Sequence, residues 1–170
     1  MVRHSDHRAV WRVRVPGRSS RYVSATSSDD DRETFVVHVD TELFYRTWLA
    51  GVCLCGPRHH RQCVLRADMP ESHLYAEAEE SFAVGHATPV PLPEVEVWRE
   101  RSKVRLRVLE GAGCAFWLIA NRAPSFPIAV RGHDAAELLH RYVGCSPAPL
   151  CFANLFTTHE VATERQRQGT

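Results

Sequence analysis

The chain has 170 residues, 44% of them hydrophobic and 24% charged, with a formal net charge of +1. That balance suits one globular domain with its own core, and it excludes a global electrostatic pull toward nucleic acid, leaving only local patches. No run of about 18 apolar residues occurs, which excludes a membrane-spanning helix.

The N-terminus is polar and arginine-rich and has no apolar signal-peptide region, so the predicted compartment is the bacterial cytoplasm. Six cysteines are then read as reduced thiols rather than three disulfides. Lys103 is the single lysine. The preference for arginine points to a GC-rich genome or, alternatively, to functional enrichment.

Residues 1–28 form a basic N-terminal arm or hairpin carrying Arg3, Arg8, Arg12, Arg14, Arg18 and Arg21 against Asp6. Trp11, Val13 and Val15 alternate with Arg12 and Arg14 at the period of a half-buried strand. Pro16-Gly17 turns the chain, and residues 22–26 return. The arginines either touch nucleic acid or make the solvated face of the hairpin.

Residues 29–152 are read as the main domain. Residues 35–39 are an apolar core strand, and Asp40 or Thr41 caps a helix that carries Leu43, Phe44 and Trp48 at helical spacing and ends at Gly51. The next loop holds Cys53, Cys55, His59 and Cys63 within eleven residues. Zinc takes about four such ligands, but Cys-x-Cys is tighter than a standard module; the alternative is a loop of incidental thiols. Residues 71–84 read as a helix with Leu74, Ala78 and Phe82 on one side and Glu77, Glu79 and Glu80 on the other.

The most informative stretch runs from Thr88 to Val130: a Pro-rich strand, a second strand over 103–110, a glycine turn, a helix, and a strand over 126–130. The turn Glu110-Gly111-Ala112-Gly113-Cys114 opens directly onto the helix, where free N–H groups and the positive end of the helix dipole favour an anion. Period-2 alternation sets Val104, Leu106 and Val108 on one face and lines Arg101, Lys103, Arg105 and Arg107 on the other. Such a row binds nucleic-acid phosphates, unless Glu94 and Glu96 on the preceding strand neutralise it by cross-strand pairing. Beyond Pro127, Asp134 is a candidate cap for a helix with Leu138, Leu139 and Tyr142 on its apolar side. Residues 151–156 offer a last short packed element, residues 157–170 are polar, and the domain boundary at 152 leaves residues 153–170 as a disordered tail.

The stretch Tyr75-Ala-Glu-Ala-Glu-Glu-Ser-Phe-Ala-Val-Gly85 with Thr88-Pro-Val-Pro-Leu-Pro-Glu-Val95 resembles the plasmid fertility inhibition factor family. The match continues through Gly111, Trp117-Leu-Ile-Ala-Asn121, Ser125-Phe-Pro-Ile-Ala-Val130 and the helix over 135–144, with a fainter match over 35–48. The resemblance implies a compact single α/β (α+β) domain of the ParB/sulfiredoxin-like fold, with a mixed sheet and flanking helices. It implies a protein that blocks DNA transfer by conjugative or type IV secretion systems, with DNA or a component of that machinery as partner.

In the wider superfamily an acid, a glycine and a following arginine bind nucleotide phosphate in a pattern such as Asp-Gly-x-x-Arg. Here Cys114 stands where the arginine would, and a thiol supplies neither fixed charge nor a bidentate fork. The expectation is therefore a non-catalytic or weakly catalytic inhibitor with no cofactor. The alternative is a DNase or nucleotide hydrolase using Glu110 with Mg2+ or nucleotide, and the second alternative is a zinc-stabilised binding module. Sulfiredoxins carry a reactive cysteine in this turn, but theirs precedes an arginine. With Ala115-Phe116 following, Cys114 reads as buried and inert.

Overall fold

The computed structural model describes residues 3–5, 7–27, 31–52 and 64–156. Its strands fall into two sheets. The first contains β1 (Arg3–Ser5), β2 (Arg8–Val13), β3 (Arg21–Thr26) and β5 (Val90–Pro91), in the order β1-β2-β3-β5. β2 and β3 pair antiparallel with Trp11 opposite Val23 and Arg12 opposite Tyr22, and the intervening turn places Gly17 at φ 68°. Alternation turns Ala9, Trp11 and Val13 inward, where they join the same core as the rest of the chain. The hairpin is thus part of the domain's packing, tied to it by parallel pairing of Val23 with Val90.

The second sheet is mixed: β7 (Lys103–Glu110), β6 (Glu94–Glu100), β8 (Ser125–Arg131), β4 (Thr34–Asp40) and β9 (Leu150–Cys151), in that order. β6 runs parallel to β8, and the other neighbours are antiparallel. β8 lies at the centre, which is why Phe126 to Val130 are buried in succession rather than alternately. The Pro-rich stretch is two strands in two sheets, because Leu92 and Pro93 pass the chain from one to the other. Leu92 N–H donates to Ser24 of β3, while the carbonyl of Pro93 accepts from Ala129 of β8.

Five helices occur among the described residues. α1 (Thr41–Val52) is capped by Asp40, whose Oδ1 accepts the Leu43 N–H at 2.9 Å. It buries Phe44 and Trp48, with Phe44 edge-on to Phe126. α2 (His73–Ala83) is capped by Ser72 and buries Tyr75, Ala78 and Phe82, one face of a helix. α3 (Ala112–Ala120) buries every residue from Cys114 to Ile119, so it runs through the interior. α4 (His133–Val143) buries Ala136, Leu139 and Val143. Its N-cap position is Gly132, so Asp134 sits in the first turn rather than at the cap.

α5 (Phe152–Phe156) is the last short element read over residues 151–156, and it corrects the tail boundary at residue 153. Phe152, Leu155 and Phe156 fall at i, i+3 and i+4, a spacing that puts apolar side chains on one helical face, and Phe152 and Leu155 are buried there.

Candidate functional site

The glycine turn after β7 is where the sequence places a ligand, and each residue there has a structural reason. Gly111 has φ 69°, and a Cβ would lie 2.9 Å from Cα of Pro93, so both its conformation and its surroundings require glycine. At Gly113 a Cβ would come within 2.3 Å of the carbonyl oxygen of Leu74. The backbone of α2 therefore lies across the first turn of α3, and this glycine serves helix–helix approach. Cys114 is 3% exposed, and burial pushes its thiol well above the ordinary value. It is a neutral core group, not a thiolate nucleophile.

Two outcomes follow. Cys114 is expected to resist alkylation in the folded protein while the exposed Cys145 is modified, as peptide-resolved mass spectrometry would record. Because the folded pKa is raised, the thiol's support for folding is complete below the ordinary thiol range. It is lost as pH climbs above that range, since only the unfolded thiol then ionises.

Beside the turn, α2 and β5 form the walls of a cleft of about 390 Å³ that residues 110–114 close at one end. Its polar side chains are Glu77, Ser81 and Glu110, and no lining residue is cationic. Neither Glu77 nor Glu110 forms an ion pair among the described residues. Glu110 also stands directly opposite Glu94 across β6 and β7.

Arg101, Lys103 and Arg105 line one cavity with Glu100, but the four cations of the β7 region are not a free strip, because two of them are paired within the fold. Arg101 occupies the β6–β7 turn at φ 55°, and it and Lys103 are exposed. Arg105 is 8% exposed: its Nε donates to Glu100 at 3.0 Å and its Nη1 to the carbonyl of Ala50 at 2.7 Å. The cause is α1, whose end lies against β7; a Cβ on Gly51 would sit 3.3 Å from the Leu106 carbonyl oxygen. Arg107 pairs with Glu96 at 2.7 Å, the cross-strand neutralisation that the alternation of Glu96 allowed. Glu94 pairs instead with Arg131 at 3.4 Å.

Arg105→Ala removes a charge-assisted bond from a helix-terminal carbonyl. It is expected to cost about 2 kcal/mol of stability in chemical denaturation and to leave any DNA affinity unchanged, whereas Lys103→Ala should leave stability unchanged.

Cys53, Cys55, His59 and Cys63 lie outside the described residues. Among the described residues no group of three or more His, Cys, Asp or Glu side chains is arranged to hold a metal ion, and no helix is long and apolar enough to cross a membrane. Of the N-terminal arginines, Arg12 and Arg14 are exposed and Arg8 reaches Ser24. Arg18 and Arg21 lie over the indole of Trp117 at 5.4 and 5.3 Å, and Arg18 also meets Glu79 at 3.0 Å. No sequence periodicity links positions so far apart, so alternation alone could not have found these contacts. The α2–β5 cleft was equally hidden, although Glu77 and Glu110 were each visible singly.

Comparison with known proteins places this geometry. The family model for Plasmid Fertility inhibition factor matches residues 36–144. The chain is 30% identical over 155 residues to Protein osa of Shigella flexneri, covering 91% of this chain and 78% of that one. It also matches the crystal structure of Oncogenic Suppression Activity Protein, a plasmid fertility inhibition factor studied as a gold(I) cyanide derivative. The TM-score is 0.76 at 29% identity, over 96% of this chain and 79% of that chain.

Proposed function

The chain belongs to the plasmid fertility inhibition factor family, and from that premise we propose that it restrains DNA transfer through conjugative or related type IV secretion systems by binding rather than by catalysis. Its place of action in this reading is the bacterial cytoplasm, and its target is DNA or a component of the transfer machinery. The fold is read as ParB/sulfiredoxin-like.

The observation that carries the non-catalytic part is the charge at the turn. A helix N-terminus is equivalent to roughly half a positive charge, while Glu77 and Glu110 bring two full negative charges to the same cleft. The position that the superfamily pattern gives to a phosphate-binding arginine is the buried, neutral Cys114. These features together support a turn that does not hold a nucleotide phosphate.

The test has two arms. Expression in donor cells carrying a conjugative plasmid is expected to lower the transfer frequency. Purified protein supplied with Mg2+ or Mn2+ is expected to release no product from DNA or nucleoside triphosphate beyond what the Glu110→Gln variant releases. Metal-dependent cleavage that disappears in Glu110→Gln would replace binding with hydrolysis as the mechanism.

A further inference from the structure

We propose that the cavity at the tip of the β6–β7 hairpin is a docking point for an acidic segment of a partner protein, one that brings two neighbouring carboxylates to Arg101, Lys103 and Arg105. The proposal deepens the transfer-inhibition reading and rests on it for what docking achieves in the cell. The cavity has a volume of about 320 Å³ and is lined by Glu100, Arg101, Ser102, Lys103 and Arg105. Three cations against one carboxylate leave two positive charges to be met. No apolar residue lines it, so its occupant is recognised by charge and hydrogen bonds.

Arg105 sets this cavity apart from an ordinary patch of exposed charge. It is 8% exposed, and its guanidinium is fixed from two sides: Nε donates to Glu100 and Nη1 to the carbonyl of Ala50. Nη2 has no partner among the described residues, and it is not sealed from solvent. A buried arginine that keeps an open N–H on a cavity is preorganised for an acceptor, because its long side chain is already ordered by the fold. Arg101 and Lys103 complete the set; both are exposed and carry no ion pair among the described residues. Arg101 holds φ 55° in the turn between the paired Glu100 and Lys103, a conformation that suits glycine and strains arginine. The turn thus keeps a cation where the backbone favours glycine.

Charge placement selects protein over nucleic acid as the occupant of this cavity. A polynucleotide presents phosphates in succession and needs a run of cations. Beyond Lys103 and Arg105 the run stops: Arg107 is taken by Glu96, and Glu94 and Glu110 stand opposite one another at the far end of the same two strands. Two carboxylates of an acidic segment match the two positive charges without meeting that far end. Contacts of this exposed kind steer association and weaken with salt more than they add raw affinity.

The experiment uses the full chain and a fluorescent peptide, Ser-Asp-Glu-Asp-Ser, with Ser-Asn-Gln-Asn-Ser as control, read by anisotropy over a salt series. The acidic peptide is expected to bind at low salt and to weaken about tenfold in the Arg101→Gly/Lys103→Gln variant, the combined effect of two exposed charge pairs. Glycine suits φ 55° at this position, so the variant is expected to keep the Tm of the parent, and its loss of binding is then not a loss of fold. Arg141→Gln, an exposed change on α4, is expected to bind as the parent does. Lys103 is the single lysine, so its acetylation by an N-hydroxysuccinimide ester, followed by mass spectrometry, reports the site itself. The acidic peptide is expected to slow that acetylation, and the amide control is expected to leave it unchanged.

Equal binding by parent and double variant overturns the proposal, as does equal binding of the amide peptide or an unchanged rate of Lys103 acetylation. Displacement of the peptide by inorganic phosphate at matched ionic strength gives the cavity to a small anion and overturns it too. So does a thymidine oligonucleotide that displaces the peptide and loses its own binding in the double variant. In donor cells, a double variant that has lost the peptide and still inhibits transfer fully overturns the docking role. A parent protein that does not inhibit transfer overturns the functional reading instead, whatever the peptide does.

Discussion

Trp117→Ala is expected to cost about 3–5 kcal/mol of folding stability, which for a chain of this size lowers Tm by on the order of 10 °C. Trp117 is 0% exposed and joins three parts of the fold that are far apart in sequence. From α3 it meets Phe82 of α2 with ring centroids 4.7 Å apart and stacks on Tyr75 at 6.5 Å. The N-terminal hairpin closes over it through the guanidinium groups of Arg18 and Arg21. Removing the indole therefore leaves a cavity and strips two cations of the ring they cover, each such contact being worth about 0.5–2 kcal/mol.

The indole Nε1–H has no hydrogen-bond partner among the described residues. Trp117→Phe loses area but no hydrogen bond and is expected to retain most of the stability. Guanidinium-chloride unfolding of the two variants checks the order. Hydrogen exchange adds a signature of place: protection over Arg21–Thr26 should fall with that of α3 in Trp117→Ala, since the hairpin loses its anchor. A loss confined to α3 would mean that the arginines are held by their other contacts.

Local periodicity revealed much of this fold because most of its elements bury one face. Trp11 and Val13 in β2, and Tyr75, Ala78 and Phe82 in α2, are spaced as a strand and a helix must be to meet a core. The combination of residues 75–95 with Trp117-Leu-Ile-Ala-Asn121 was enough to point to the family that the comparisons then established. The same local logic missed the burial of Arg105. Alternation assigns it to a face, but β7 is an edge strand of its sheet, and α1 lies against it and supplies the carbonyl of Ala50. A packing partner about fifty residues away in sequence cannot be read from a period of two. The two-sheet division was hidden for a related reason. Leu92 and Pro93 interrupt what reads as a continuous extended run, and only their hydrogen bonds to Ser24 and Ala129 show which sheet each side joins.

Gly113→Ala tests the reading of the turn most directly, and is expected to destabilise the protein by about 3 kcal/mol, the upper end of the usual cost of overpacking. Two accounts of this glycine compete. As a ligand-approach residue, it should tolerate alanine in the free protein and lose only binding. As a packing residue, it should lose stability without any ligand present.

The geometry favours the second account. The added methyl would sit 2.3 Å from the Leu74 carbonyl oxygen, a backbone atom that cannot swing aside as a side-chain end can. α2 and α3 would have to separate, drawing Ala78 and Phe82 away from the core they share with Trp117. A fall in Tm of about 6–12 °C in the absence of any added nucleotide or peptide would establish the packing role. An unchanged Tm would return Gly113 to the list of ligand-approach residues, and with it the phosphate site that its packing against α2 argues against.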